Sequence, residues 1–449
     1  MKMTALLPIL ALFAGIMAYL VAEIPLALGI VFAILVTLVS VNRQGYSWKQ
    51  QVAYGWAGVG KTKPVLVILL LVGLLIPLLM MSGTIPAIIS YGLSVVNVDY
   101  LMVTSFLLTA AVSTLLGTSI GTLSTVGLSL MGIAHAAGIS SAMVAGALVS
   151  GAMVGERFSP ISSSRLLILS HAGMTDGQDR ALRKPALLAA GISALLFLLL
   201  DLFREESGSS ETTGLYQELL LAHFPIGWLS MLPVIVLIAC FGFRVNTVKA
   251  LLCGIAAAVV LVLVHGPMDG EKFLAAVWNG YKLDTASPLD ALLASSGLAD
   301  IASVLLLIGL AGFLTGILQE ANLLTPFIER LLGKTRDSLE LVAKSVVLSL
   351  LVVIISCNQT IPILVMGAAM KARFANLARG HELLGKTMLD STLVFPVLIP
   401  WNALAMVIAV SLGVPTLESL PYVFYAFLLP MMTILSARRF SSPGMMTDT

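Results

Sequence analysis

The sequence predicts an all-α polytopic membrane protein made of two inverted-topology repeats with broken or re-entrant helices. Three observations predict it. The 449 residues are 58% hydrophobic and 11% charged, where a soluble domain carries about 25% charged residues. Many apolar runs approach or exceed the ~18 residues that suggest a spanning helix. Two stretches about 235 residues apart say nearly the same thing, and a duplicated half in a membrane chain points to a transporter with its site between the halves. A net charge of only +2 offers no basic surface for nucleic acid.

The apolar runs fall at 4–22, 24–41, 64–82, 100–117, 120–134, 139–155, 186–202, 223–243, 247–265, 298–318, 341–357, 359–370, 392–413 and 421–437. Some are too short to cross ~30 Å of hydrocarbon alone, which predicts breaks or hairpins and roughly 10–14 membrane helices. Met1–Leu20 has no small-residue cleavage site leading into a soluble domain, so it reads as a first membrane helix. Cys240, Cys253 and Cys357 lie in or beside apolar runs without metal-ligand spacing and read as small packing residues.

The repeat rests on four matches in one register. LLLVGLL at Leu69–Leu75 returns as LLLIGLA at Leu305–Ala311. Thr125, Met131 and Gly132 return as Thr360, Met366 and Gly367. Glu156 answers to Asp390, and Pro185 to Pro421.

Lys and Arg in short loops set the orientation. Arg43, Lys49, Lys61 and Lys63 place 42–63 in the cytoplasm, as Arg244 and Lys249 do for their turn. Glu205, Glu206, Glu211 and Glu218 place 203–222 outside, as Asp269, Glu271, Asp284 and Asp290 do for 266–297. Arg438 and Arg439 put the C-terminus inside, with the N-terminus also cytoplasmic. Each repeat helix then runs opposite to its copy, which makes the duplication inverted and requires an odd number of crossings per repeat, five being favoured. The expected organisation is a helix pair and cytoplasmic loop at 1–63, the first repeat at 64–203 and connecting helices at 204–299. The second repeat takes 300–438 and a cytoplasmic tail 439–449. Within the second repeat, 371–386 is charged where its counterpart 135–151 is apolar, so one of the two is expected at an interface. Lys371, Arg373, Arg379 and Lys386 read as a solvated cytoplasmic loop.

Polar clusters interrupt the apolar runs at matching places in the two repeats. The first holds Gly117, Thr118, Ser119, Gly121 and Thr122, then Glu156, Arg157, Ser159, Ser162, Ser163, Ser164 and Arg165. The second holds Ser356, Asn358, Gln359, Thr360 and Pro362, then Asp390, Ser391, Thr392, Trp401 and Asn402. Glycine and proline free backbone carbonyls, which together with Ser, Thr and Asn oxygens suit a small hard cation. An acid within the membrane is costly and marks a functional site by default. Glu156 and Asp390 would supply charge and take a proton in competition with the cation. The duller readings are that Glu156 pairs with Arg157, that Asp390 caps the next helix, and that the hydroxyls bond the preceding turn. Trp401 reads as a packing or interface residue.

At these residues the chain resembles the NhaC-type sodium/proton antiporter family. Gly83-Thr84-Ile85-Pro86 with Tyr91-Gly92-Leu93 is similar to the family's early GTIP…YGL segment. Gly117-Thr118-Ser119 with Gly121-Thr122 resembles its GTSxGT turn. Gly146-Ala147, Ser150-Gly151, Gly155-Glu156 and Ser159-Pro160-Ile161-Ser162 resemble its GA-x2-SG…GD-x2-SPLS stretch. Asp390-Ser391 and Leu398-Ile399-Pro400-Trp401-Asn402 resemble its DS…LIPWN stretch. The match covers most of 60–435. The family pattern continues with DTTN where this chain has Ser163, Ser164, Arg165 and Leu166, and its GDQ falls on Cys357-Asn358-Gln359. Two acids are thus missing, and Arg165 has entered the first cluster.

The resemblance implies a Na+/H+ antiporter of a bacterial inner membrane working by alternating access. It would need no cofactor beyond the transported Na+ and H+, and a homodimer is the candidate assembly. The ion- and proton-binding candidates are Glu156, Asp390, Thr118, Ser119, Ser162, Ser163, Asn358, Gln359, Thr360, Ser391 and Asn402. Glu156, Asp390, Ser162 and Asn358 are the candidate Na+ ligands. The alternative is an ion-coupled exchanger or symporter of a small organic anion or amino acid, with Arg165 and Ser164 holding the substrate carboxylate. No P-loop, metal-spaced His/Asp group or nucleophile beside a base argues for an enzyme.

Overall fold

The computed structural model describes residues 7–438 except 23, 205–209, 266–268, 284–289, 291–292, 294, 296, 324–332, 334–336, 357 and 378. Cys357, Glu205, Glu206, Asp284, Arg439 and the tail 439–449 therefore lie outside the described residues.

The described chain is helical. An apolar pair, α1 (Leu7–Ala22) and α2 (Leu26–Asn42), precedes the long α3 (Trp48–Met81), which begins on a Ser47–Gln50 capping box. There follow α4 (Thr84–Val95), α5 (Leu101–Leu116), the single turn α6 (Ser119–Thr122) and α7 (Leu128–Ala136). Next come α8 (Ser141–Phe158), α9 (Ser163–Ala172), the short α10 (Asp176–Ala181) and α11 (Lys184–Leu202). The middle holds α12 (Ser210–His223), α13 (Leu232–Gly242), α14 (Thr247–His265) and α15 (Gly270–Asn279). The second half holds α16 (Leu298–Glu320), α17 (Ser338–Ile355), α18 (Thr360–Ala375), α19 (Gly380–Asp390), α20 (Ala403–Leu412), α21 (Thr416–Ser419) and α22 (Phe424–Ala437).

Among the described residues, seven helices are long and apolar enough to cross a membrane, and three bent pairs raise that to ten. The expected 10–14 crossings therefore meet the fold only at their lower edge. The bends have a local cause. Runs such as 392–413 and 421–437 are not single helices but pairs bent by 55° and 52°. Pro396 and Pro421 open the short 3-10 turns Phe395–Leu398 and Leu420–Tyr422 that precede each bend, and Pro400 lies in the gap of the first.

Small residues let the long helices approach. Where α3 crosses α16, a Cβ on Gly58 would sit 2.2 Å from the Gly312 carbonyl and 2.6 Å from the Gly316 Cα. This is the small-residue packing of membrane helices. The buried Asp201 at the end of α11 accepts the Met102 and Val103 amides at 3.1 and 2.9 Å, so it caps α5 from outside the helix.

Two helices are buried nearly all round. In α8 every residue from Val144 to Arg157 is buried, and in α19 Gly380 and every residue from Glu382 to Asp390. The stretch expected at an interface or in a loop is thus partly core. Lys386, read from sequence as solvated, is 1% exposed because three oxygens surround its ammonium.

Candidate functional site

The two core helices end in the polar clusters. Helix α5 stops at Gly117, whose φ of +68° favours glycine, and the chain restarts at α6 with the Thr118 hydroxyl accepting the Gly121 amide at 3.3 Å. Helix α8 stops at Phe158, and Ser162 restarts α9 by accepting the Arg165 amide at 3.2 Å. In the second half α17 stops at Ile355, and Asn358 Oδ1 accepts the Ile361 amide at 2.9 Å. Asn402 Oδ1 accepts the Leu404 amide at 3.1 Å at the start of α20, while its Nδ2 donates to the Ser356 carbonyl. Thr118, Ser162, Asn358 and Asn402 are therefore the caps of the broken helices.

Glu156 lies in the last turn of α8, where the helix carbonyls disfavour a negative charge. It does not pair with Arg157. Its Oε1 accepts from Gln359 Nε2 at 3.4 Å, and Ser119 and Ser164 border the carboxylate. Ser164 also donates to Gln359 Oε1 at 3.0 Å. The second oxygen, Oε2, is buried and has no hydrogen-bond partner among the described residues. Glu156, Ser119, Ser164 and Gln359 thus converge from both halves of the chain. Gln359 also lines a cavity of about 500 Å³ with Asn358, Thr360, Ile120, Gln319 and Lys61. Lys61 pairs with Glu320 at 3.0 Å, both about half exposed, so the cavity has a water-facing charged rim.

Asp390 is placed otherwise. Its Oδ1 lies 2.6 Å from Arg157 Nε, and its Oδ2 takes Thr433 Oγ1 at 2.6 Å and Lys386 Nζ at 3.2 Å. Both oxygens are thus occupied, and it does not cap the next helix. Ser391 donates to the Thr387 carbonyl at 2.6 Å and to Ser349 at 3.2 Å. Ser163 is exposed, and so is Thr360, at the cavity. Of the four candidate Na+ ligands, Glu156 alone keeps an unbonded buried oxygen, and the structure does not gather Asp390 and Ser162 around it.

Arg165, expected to hold a substrate carboxylate, is committed elsewhere. It is fully buried, lies 2.6 Å from Asp179 and bonds Asp176. Asp179 also sits 3.0 Å from Arg157 and 2.9 Å from Arg183. The Arg165 hydrogen bond holds Asp176 below the usual carboxylate range. Burial pushes Asp179 up, but Arg157, Arg165 and Arg183 outweigh it and hold it low.

Sequence reasoning did not find Asp179, Lys386 or Thr433 as members of this network. The i,i+4 spacing of Lys386 and Asp390 is a local signal for that pair, whereas Asp179 lies 22 residues from Arg157 and Thr433 lies 43 from Asp390, beyond any local pattern. Trp401 is a packing residue whose Nε1 donates to the Ile354 carbonyl at 2.7 Å.

The comparisons with known proteins agree with this helical, membrane-spanning frame. The model of the Na+/H+ antiporter family matches residues 184–437, more than half of the chain. The Na+/H+ antiporter NhaC of Alkalihalophilus pseudofirmus is 29% identical over 381 residues, covering 83% of this chain and 81% of the relative. The Na+/H+ antiporter NhaC of Bacillus subtilis is 27% identical, covering 87% of each. The malate-2H+/Na+-lactate antiporter of Bacillus subtilis is 22% identical, covering 90% of this chain and 87% of the relative.

Proposed function

The chain belongs to the Na+/H+ antiporter family, and on that premise we propose that it exchanges Na+ for H+ by alternating access, with Glu156 as the group for which the two ions compete. One observation carries the assignment to Glu156. It is a buried carboxylate with one oxygen unbonded among the described residues, held between two broken helices from different halves of the chain. A proton would fill that valence by making Oε2 a donor. A sodium ion would fill it by direct coordination, with the Ser119 and Ser164 hydroxyls and the Gln359 amide oxygen as neutral ligands. The ligands must exchange partners for this: Gln359 Oε1 would turn from Ser164 to the ion.

The cavity beside Gln359 is the access path from one side, and its Lys61 lies on the segment whose basic charge assigns it to the cytoplasm. A similar hydroxyl contact in the two halves, its partners about one helical turn apart in register, supports a repeat. In the first, Ser113 on α5 donates to the Ala152 carbonyl of α8 at 2.8 Å. In the second, Ser349 on α17 meets Ser391 and Thr392 just after α19 at 3.2 and 2.8 Å. Ser113 and Ser349 stand in the same register as the sequence repeat. Rocking one half against the other would open and close the path to Glu156.

A second reading is favoured by cavity size. About 500 Å³ is within the range of small-molecule sites and far more than a bare cation fills. A carboxylate solute resting on Lys61 and the Gln319 and Asn358 amides would use it, and the malate/lactate relative is named for such solutes.

The test uses purified protein in proteoliposomes holding a pH-sensitive dye. Na+ or Li+ should each drive proton flux across an imposed pH gradient. Silence to cations with a response to one carboxylate would replace the first reading by the second.

A further inference from the structure

Eight charged side chains are buried among the described residues: Glu156, Arg157, Arg165, Asp179, Asp201, Glu382, Lys386 and Asp390. Two are accounted for apart from the rest, since Asp201 caps α5 and Glu382 pairs with Arg379. The other six hold three positive and three negative charges when all are ionised. They match off by distance. Arg165 belongs to Asp179 at 2.6 Å, and Arg157 to Asp390 at 2.6 Å. Asp390 also holds Lys386 at 3.2 Å, so these bonded groups carry one cation more than they have anions, while Glu156 is the anion with no cation bonded to it among the described residues. At the rim Arg180 faces water, and the half-buried Arg183 lies 3.5 Å from Asp176 and 2.9 Å from Asp179, so that Asp176 offsets its charge.

We propose that Lys386 is the counter-charge of Glu156 and thereby sets how tightly the carrier holds its cation; this rests on the Glu156 reading above. With Glu156 ionised and the site empty, the six buried groups sum to zero. A cation arriving at Glu156 leaves one net positive charge among these buried groups, and Lys386 is its source. The effect weakens cation binding, which a carrier needs if it is to release its load. The bonded part of the path runs from Lys386 Nζ to Asp390 Oδ2 at 3.2 Å and from Asp390 Oδ1 to Arg157 Nε at 2.6 Å; Arg157 is the chain neighbour of Glu156 on α8 and is not bonded to it, so the last step is through space.

Lys386 is also the one cation of the three that the network can spare. Arg157 and Arg165 each anchor a carboxylate, whereas without Lys386 the Asp390 carboxylate keeps Arg157 and Thr433. Thr433 and Ser436, which accept from Nζ at 3.0 Å each, are neutral hydroxyls that an amide can also satisfy.

The experiment compares native protein, Lys386→Gln and Lys386→Arg in proteoliposomes and reads the KM for Na+ in proton-coupled exchange. Lys386→Gln should lower that KM roughly tenfold, the scale of one unit charge removed from a partly screened interior. Lys386→Arg should return it to the native value. A role in packing alone predicts less folded protein with KM unchanged or raised, and that result overturns the proposal. Should Lys386→Gln not accumulate, the native protein decides: a Na+ jump without a pH gradient must displace positive charge, and no displaced charge overturns the proposal. Glu156→Gln is run alongside. If it keeps the native KM, the Glu156 reading itself has failed. If it loses exchange while Lys386→Gln keeps the native KM, only the counter-charge has failed.

Discussion

The buried tie between Arg157 and Asp390 makes an ordering of variants that separates a structural carboxylate from a cation ligand. Both side chains are fully buried and meet at 2.6 Å across the two halves of the chain. Breaking a buried pair by removing one partner costs about 3–5 kcal/mol, because the survivor is left without compensation. The two single variants are not equivalent here. Arg157→Met leaves Asp390 with Lys386 and Thr433, and Asp179 with Arg165 and Arg183, so its cost should fall near the lower figure. Asp390→Asn leaves two buried cations facing a neutral amide and should fall near the upper one. In the Asp390→Asn background, adding Arg157→Met removes a surplus cation, so the double variant should be more stable than Asp390→Asn alone, which requires a coupling larger than the loss of about 3 kcal/mol from Arg157→Met by itself. Thermal unfolding of the purified proteins in detergent, followed by size-exclusion chromatography, reads the order. If the double variant loses the sum of the two single losses, the pair is not a tie. If Asp390→Asn unfolds like the native protein but no longer handles Na+, Asp390 is a ligand after all.

Two further predictions concern the frame around the site. Gly58→Val should lower the yield of folded protein by overpacking, at about 1–3 kcal/mol, since its Cβ would fall 2.2 Å from the Gly312 carbonyl. Gly60→Ala, with open space around it, should not, and equal yields would remove the α3–α16 crossing from the fold's essentials. Acid should loosen the α10 segment. Asp176 and Asp179 are both held low in the folded protein, so their contribution is complete above the unfolded carboxylate value of about 4 and is lost as pH falls through the folded values. Thermal stability should hold from pH 7 to about 5 and drop below about 4. A smaller drop in Asp179→Asn is the check, and an identical drop would assign the acid sensitivity elsewhere.

Some of this was legible in the sequence because the cause is local. Gly117, Thr118, Ser162, Asn358 and Asn402 announce broken helices, since helix breaking and capping depend on the residue itself and its next few neighbours. Glu156 was legible because an acid inside an apolar run needs a reason. Lys386 was not. It follows Lys371, Arg373 and Arg379 in a charged stretch that reads as solvated, and the hydroxyls that shelter it lie 47 and 50 residues further on. The tie of Asp390 to Arg157 was hidden for the same reason, because Arg157 is on the other half. Arg165 likewise seemed free for substrate only while Asp179 was unseen.

The most direct measurement is the binding of radioactive sodium to purified native protein and to Glu156→Gln, with the Arg157–Asp390 tie left intact in both. The native protein should bind saturably and give up its sodium as the solution is acidified, and Glu156→Gln should bind none while eluting as a folded species. Native-like, acid-sensitive binding by folded Glu156→Gln would contradict the assignment and move the ion site elsewhere in the chain.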